Sequence, residues 1–153
     1  MKINFSKEEY RLLLEIVYLS DWMMCAHIER VEHPHKKHQV LRKKILSYFK
    51  EMDAEDIVEY SKEHDEYYEF SDLEDELNEK FIDPYNYAFF WDELIDSLAR
   101  RDFINSVGVK KYQTMEFVER GMGVEKMKER YANEFQEHGL GNLKIHREDV
   151  MIN

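Results

Sequence analysis

Glycine is missing from the first 107 residues of this 153-residue chain; all five glycines, Gly108, Gly121, Gly123, Gly139 and Gly141, lie in the last third. A Walker-type phosphate loop or a dinucleotide-binding turn brings backbone close to phosphate and needs glycines at set spacings. The glycine-free stretch excludes both, and the pairs Gly121/Gly123 and Gly139/Gly141 match neither spacing and read as helix ends. One cysteine, Cys25, cannot form an internal disulfide, which points to a reducing compartment. Bases are short: 22 Lys and Arg stand against 33 Asp and Glu, a formal charge of −11. That is the wrong sign for holding a nucleic-acid backbone. The opening Met1–Glu9 places acids where the apolar part of a signal peptide would begin. The longest apolar run, Leu12 to Ile28, contains Glu15 and Asp21 and falls short of the ~20 residues of a membrane span. A cytoplasmic protein with no membrane and no nucleic-acid partner is the expectation.

What is present points to a packed helical domain. Hydrophobic residues make up 43% and aromatics 14%, which argues against disorder, and a chain of this length forms one domain with a real core. Ser6 with Glu9 is a capping box, and Phe5 can staple against Tyr10. Thirteen of the seventeen residues from Leu12 to Ile28 are apolar, the pattern of a central core helix. Helical spacing predicts a second helix over Lys36–Met52, and Asp53 offers the cap of a third over Ala54–Tyr68. Ser71 with Glu74 opens a short helix expected to stop before Pro84. A long aromatic-rich helix follows over Asn86–Asn105, then a shorter one ending at Gly121, then a last one over Val124–His138 with Gly139 as its terminator. Ile3/Phe5 and Leu143/Ile145 alternate with polar residues, which allows a minor strand pairing of the two ends. The predicted fold is mainly all-α: one compact bundle of five to seven helices over residues 1–153, built round Leu12–Ile28 and Tyr87–Ala99.

The charge is concentrated in one segment. Residues 53–79 hold thirteen acids and one base, Lys62, for a net −12, so the remainder of the chain nets +1. Such a segment is too charged to bury and serves as a solvated face or as a docking surface for a basic partner. Tyr60, Tyr67, Tyr68 and Phe70 are interleaved with the acids, and aromatic anchors are enriched at interfaces. The partner-binding candidates are therefore Glu63, Glu66, Tyr67, Glu69 and Phe70. A third arrangement is intramolecular, with Lys36, Lys37, Arg42, Lys43 and Lys44 lying alongside the acids.

Chemical motifs are sparse. His27, His33, His35 and His38 cluster near Cys25, and imidazole and thiolate suit zinc or another transition metal. Only His35 and His38 have a helical ligand spacing, and Pro34 denies helix geometry to Glu32-His33-Pro34-His35. His64-Asp65 resembles the signature dipeptide of the HD phosphohydrolase family at two residues only. The small residues and lysine that usually follow are absent, and an Asp- and Glu-rich stretch generates such pairs by chance. Asp21 sits inside an apolar helix, where a carboxylate needs a partner or goes neutral; Arg100 and Arg101 are the candidates. Asp92 and Asp96, four apart on one helix, have no partners to make a catalytic pair. Cys25 reads as an inert buried thiol. The sequence thus predicts no catalytic residues, no cofactor and no native metal. It favours an adaptor or inhibitor that meets a basic protein through residues 53–79, with a metal-dependent hydrolase or metal-binding protein as the alternative.

Overall fold

A computed structural model describes residues 3–26 and 36–144. Among them are six α-helices, a π-helical turn and one β-hairpin: α1 (Lys7–Cys25), α2 (Lys36–Leu46), β1 (Val58–Ser61), β2 (Glu66–Glu69), α3 (Ser71–Leu77), the π turn (Asn78–Ile82), α4 (Asp83–Val107), α5 (Val109–Thr114) and α6 (Phe117–His138). The fold is mainly α with a small antiparallel pairing, as composition and periodicity predicted. The pairing has a different location, however. Residues 3–6 form no strand, nor do Leu143 and Lys144, and the rest of the C-terminal segment lies outside the described residues. The chain divides into two compact units, residues 1–86 and 87–153.

In the first unit, α1 begins where its sequence says. The Ser6 side chain accepts from the Glu9 backbone N–H, and the Glu9 carboxylate accepts from the Ser6 N–H at 2.8 Å. Tyr10 and Leu14 are buried, while Leu12, Ile16 and Met23 are more than half exposed. The helix therefore buries one stripe and not its whole circumference, which corrects the expectation of a core helix apolar on all sides. Its inner face meets Leu46, Phe49, Ala54 and Val58, and the Tyr10 hydroxyl donates to the Ile45 carbonyl at 2.8 Å. Helix α2 ends at Leu46, six residues before the predicted end. Bonds of the i→i−3 kind, Tyr48 N–H to Ile45 and Phe49 N–H to Leu46, tighten the chain there. Asp53 then takes a positive φ of 52°, a conformation that Asp tolerates better than most residues.

The predicted helix over Ala54–Tyr68 is instead the hairpin. Its register pairs Val58 with Glu69, Glu59 with Tyr68, Tyr60 with Tyr67 and Ser61 with Glu66. In a helix, Glu55, Glu59 and Glu63 would stack at i, i+4 spacing and repel. The hairpin separates them and sets Val58, Tyr60 and Tyr67 on one side at a period of two. Asp65, at φ 51°, closes the four-residue loop.

Two further helix boundaries moved for identifiable reasons. The helix expected to begin with a capping box at Ser71 starts one residue earlier: Phe70 is its cap residue, without a side-chain bond, and its carbonyl accepts from Leu73 and Glu74. The same helix does not stop before Pro84. The π turn over Asn78–Ile82 widens the backbone ahead of the proline, with the Asp83 N–H donating back to Asn78. That spacing accommodates a ring that would strike a carbonyl in a regular α-helix.

The second unit packs Ala99, Phe103 and Val124, with Val107, Tyr112, Met115, Met127 and Tyr131 around them. Trp91, half-buried, meets Phe135 at 5.4 Å between ring centroids. Gly108, at φ 84°, separates α4 from α5. Gly121 and Gly123 do not end a helix as expected; α6 runs through both. Gly123 is where the Phe103 ring lies against the helix backbone, and a Cβ there would sit 2.9 Å from Phe103 Cε1 and closer to two other ring atoms.

Candidate functional site

The acidic segment becomes two structures, the hairpin with its approach and α3. Four of its thirteen acids pair with bases of α1 and α2. Asp53 pairs with Lys7, Asp56 with Arg11 at 2.5 Å, Asp65 with Lys43 at 2.9 Å, and Glu69 with Arg42. The intramolecular arrangement raised by the sequence thus accounts for Arg42 and Lys43. Hydrogen bonds from the Tyr60 hydroxyl and Lys43 hold the Asp65 carboxyl below its ordinary range, and the Arg11 guanidinium does the same for Asp56.

The five candidates do not form one exposed face. Glu63 is exposed in the hairpin loop. Glu66 is half-buried on β2, and its carboxylate accepts from the Tyr67 N–H at 3.1 Å. Tyr67 points inward, against Phe49 at 5.9 Å and Tyr60 at 4.8 Å between ring centroids. Glu69 is buried. Phe70 is half-buried, and its backbone caps α3 and donates to Ile57 at 3.0 Å. Strand alternation explains the division: Tyr67 and Glu69 share the inner side with Val58, while Glu66 and Tyr68 share the outer side with Glu59 and Ser61. The hairpin presents to solvent its outer side, with Tyr68 42% exposed, the Glu63 loop, and Tyr60, 38% exposed beside that loop on the inner side. Glu59 and Glu63 make no ion pair among the described residues.

Behind that hairpin lies a group sequence reasoning did not assemble. Arg42 on α2 donates through Nη2 to Glu69 Oε2, while its Nε stands 3.5 Å from Asp21 Oδ2 on α1. Asp21 is therefore partnered by Arg42, not by Arg100 or Arg101, which pair with Asp96 and Asp102. Gln39 also donates to Asp21, and the Cys25 thiol lies 3.6 Å from the same carboxylate. Burial and the neighbouring Asp21 charge push the Cys25 thiol up, which disfavours a reactive thiolate. Burial also raises Glu69, against the opposing pull of Arg42. Arg42 Nε and Glu69 Oε1 have no hydrogen-bond partner among the described residues. A cleft of about 200 Å³ opens beside Asp21 and Arg42, walled by Val17, Met24, Leu41 and Ile45.

The other motifs resolve simply. His64 and Asp65 form the hairpin turn, where the Asp65 carboxylate is occupied by Tyr60 and Lys43. Asp96 is shared by Arg100 and Lys128, while Asp92 is exposed. His27, His33 and His35 lie outside the described residues. Among those described, no group of three or more His, Cys, Asp or Glu is placed to hold a metal ion. No described helix is long and apolar enough to cross a membrane. Comparison with protein-family models, curated proteins and solved structures finds no match.

Proposed function

We propose that this chain is an interaction module that meets a basic protein partner through the outer side of its acidic hairpin. The observation that carries the reading is the placement of Glu59 and Glu66 with the exposed Tyr68 ring on one side of the hairpin, next to the loop that holds Glu63. Within the hairpin, Asp65 and Glu69 are taken by Lys43 and Arg42, so Glu59, Glu63 and Glu66 are the carboxylates it offers a partner. An aromatic ring framed by carboxylates supplies an anchor for the stem of Arg or Lys, together with counter-charge for its head. Glu69 and Tyr67 support that surface from behind and do not reach it.

The test uses an oligo-lysine peptide, followed by fluorescence anisotropy as salt is raised. Reversing Glu59, Glu63 and Glu66 to Lys is expected to abolish binding, and wild-type binding is expected to weaken with salt because exposed attraction is screened over about 8 Å at physiological ionic strength. Reversing Glu119, Glu125 and Glu129 on α6 changes net charge equally and is expected to leave most of the binding. Equal losses in the two variants would show that total charge, not the hairpin, attracts the peptide, and would sink the proposal.

A further inference from the structure

The second unit holds a cleft whose charge is opposite to that of the chain as a whole. It measures about 300 Å³ and lies where α4, α5 and α6 approach one another, a volume at the small end of ligand sites. Three cations reach it, Arg100, Arg120 and Lys128, against two carboxylates, Asp96 and Glu125. The surplus is one positive charge in a protein of −11.

The arrangement of those cations is ordered. Asp96 is bonded by Arg100 at 3.0 Å and by Lys128 at 2.5 Å, so a single carboxylate holds one base from α4 and one from α6 at the same wall. Arg120 is fixed differently. Its guanidinium lies 5.1 Å from the centre of the Tyr112 ring and donates to the Met115 carbonyl at 3.3 Å, while its buried Nε has no partner among the described residues. Tyr112 is thus stacked by one arginine. At the rim stands Phe117, 84% exposed. Its ring is open for apolar contact with a group bound in the cleft.

The geometry points to a binding site for a phosphate monoester carried on an aromatic body: the dianion between Arg100, Arg120 and Lys128, and the ring against Phe117. Planar guanidinium groups and an ammonium match phosphate oxygens. A dianion offers more acceptors than the single Asp96 carboxylate that now engages two of the bases. A free carboxylate ligand would gain less, because it could replace Asp96 only one charge for one. The reading is independent of the acidic hairpin, which belongs to the other unit.

Calorimetric titration of the full chain with phenyl phosphate, inorganic phosphate and phenol, at constant ionic strength in chloride, tests this. Phenyl phosphate is expected to bind several-fold more tightly than inorganic phosphate, and phenol not to bind. Arg100→Gln and Lys128→Gln, both at partly exposed positions, should each weaken the two phosphates about tenfold, the usual scale for losing a charge-assisted contact. Phe117→Ala should bring phenyl phosphate down to the affinity of inorganic phosphate and leave the latter unchanged; at 84% exposure the substitution does not endanger the fold. Lys62→Gln, on the hairpin loop, is the control for net charge. Absence of saturable binding by both phosphates would overturn the site, as would unchanged affinity in Arg100→Gln and Lys128→Gln. A preference for phenyl phosphate that survives Phe117→Ala would overturn the proposed ligand class.

Discussion

Arg42 of α2 reaches Glu69 of β2 across 27 positions of sequence, and the Glu69 side chain it meets is only 3% exposed. The same guanidinium faces Asp21 of α1, so two carboxylates and one arginine tie α1, α2 and the hairpin together. A buried pair of this kind adds little net stability over an apolar equivalent, but removing one partner strands the other in a poor solvent. Arg42→Ala is therefore expected to destabilise the first unit by about 3–5 kcal/mol in urea unfolding. Arg42→Met together with Glu69→Leu and Asp21→Asn should recover most of that loss. If Arg42→Ala alone is neutral, the triad is solvated and the argument fails.

The pH dependence of stability should carry contributions of opposite sign. Burial raises Glu69 above its ordinary carboxyl value of 4.5 in the folded state. Folding therefore favours its protonated form, and this contribution is full at low pH and is lost as pH rises through the folded value. Asp96 is lowered by its bonds from Lys128 and Arg100, and Asp102 by its bonds from Arg101 and Tyr131. Their contributions are present above the ordinary Asp value of 3.8 and disappear as pH falls below it. Stability measured by denaturant from pH 3 to pH 7 should thus respond differently to two isosteric changes. Asp96→Asn should flatten the acid limb. Glu69→Gln should remove a decline that sets in above about pH 4.5, the ordinary Glu value. A Glu69→Gln curve parallel to wild type would exclude the buried-carboxylate assignment.

Much of the helical frame is readable residue by residue, and the reasons for the exceptions are specific. The Ser6/Glu9 box, the break at Gly108 and the end at Gly139 are local signals, each decided by a side chain or a backbone preference within one turn. The hairpin was hidden because Ile57, Val58 and Tyr60 satisfy a helical spacing as readily as a strand pattern, and Asp53 resembles an N-cap until its positive φ is known. Deciding between the two required the repulsion of Glu55, Glu59 and Glu63 at helical spacing and the presence of Lys43 opposite Asp65. The second of these is a tertiary fact. The site was less legible still. Of the five residues chosen for charge and aromaticity, Glu66, Tyr67 and Glu69 divide between the two sides of β2, and strand parity cannot be assigned to a segment read as a helix. Arg42, the residue that organises the interior, sits in a run of bases with nothing local to distinguish it from Lys43 or Lys44.

Leu14 is fully buried between α2 and the turn that follows it, touching the cluster of Leu46, Phe49 and Ala54. Leu14→Ala should therefore cost about 2–5 kcal/mol through lost burial and the cavity left behind. Leu12→Ala, two residues away on a side 57% exposed, should change stability by less than about 0.5 kcal/mol. Comparable effects at the two positions, measured by thermal or urea unfolding, would mean that the outer side of α1 is as buried as the inner.

Gly121 and Gly123 lie two residues apart in α6, yet opposite outcomes are expected on adding one methyl group to each. At Gly121 an added Cβ meets nothing within 4 Å. Alanine there removes backbone freedom from the unfolded chain at a position already helical, which should stabilise the second unit by roughly 0.5–1 kcal/mol. At Gly123 the Cβ would run into the Phe103 ring, which is itself buried against Ala99 and Val124. The ring is only 8% exposed and must be displaced from that packing, so Gly123→Ala should destabilise by about 1–3 kcal/mol despite the better helix propensity of alanine. Trimming the ring should relieve the clash: Gly123→Ala combined with Phe103→Leu should lose less than the two single changes added together, a coupling measurable by a double-mutant cycle. Additive losses would show that the Phe103 ring does not rest on the Gly123 backbone. A stabilising Gly123→Ala would leave helix propensity as the only consequence of either glycine.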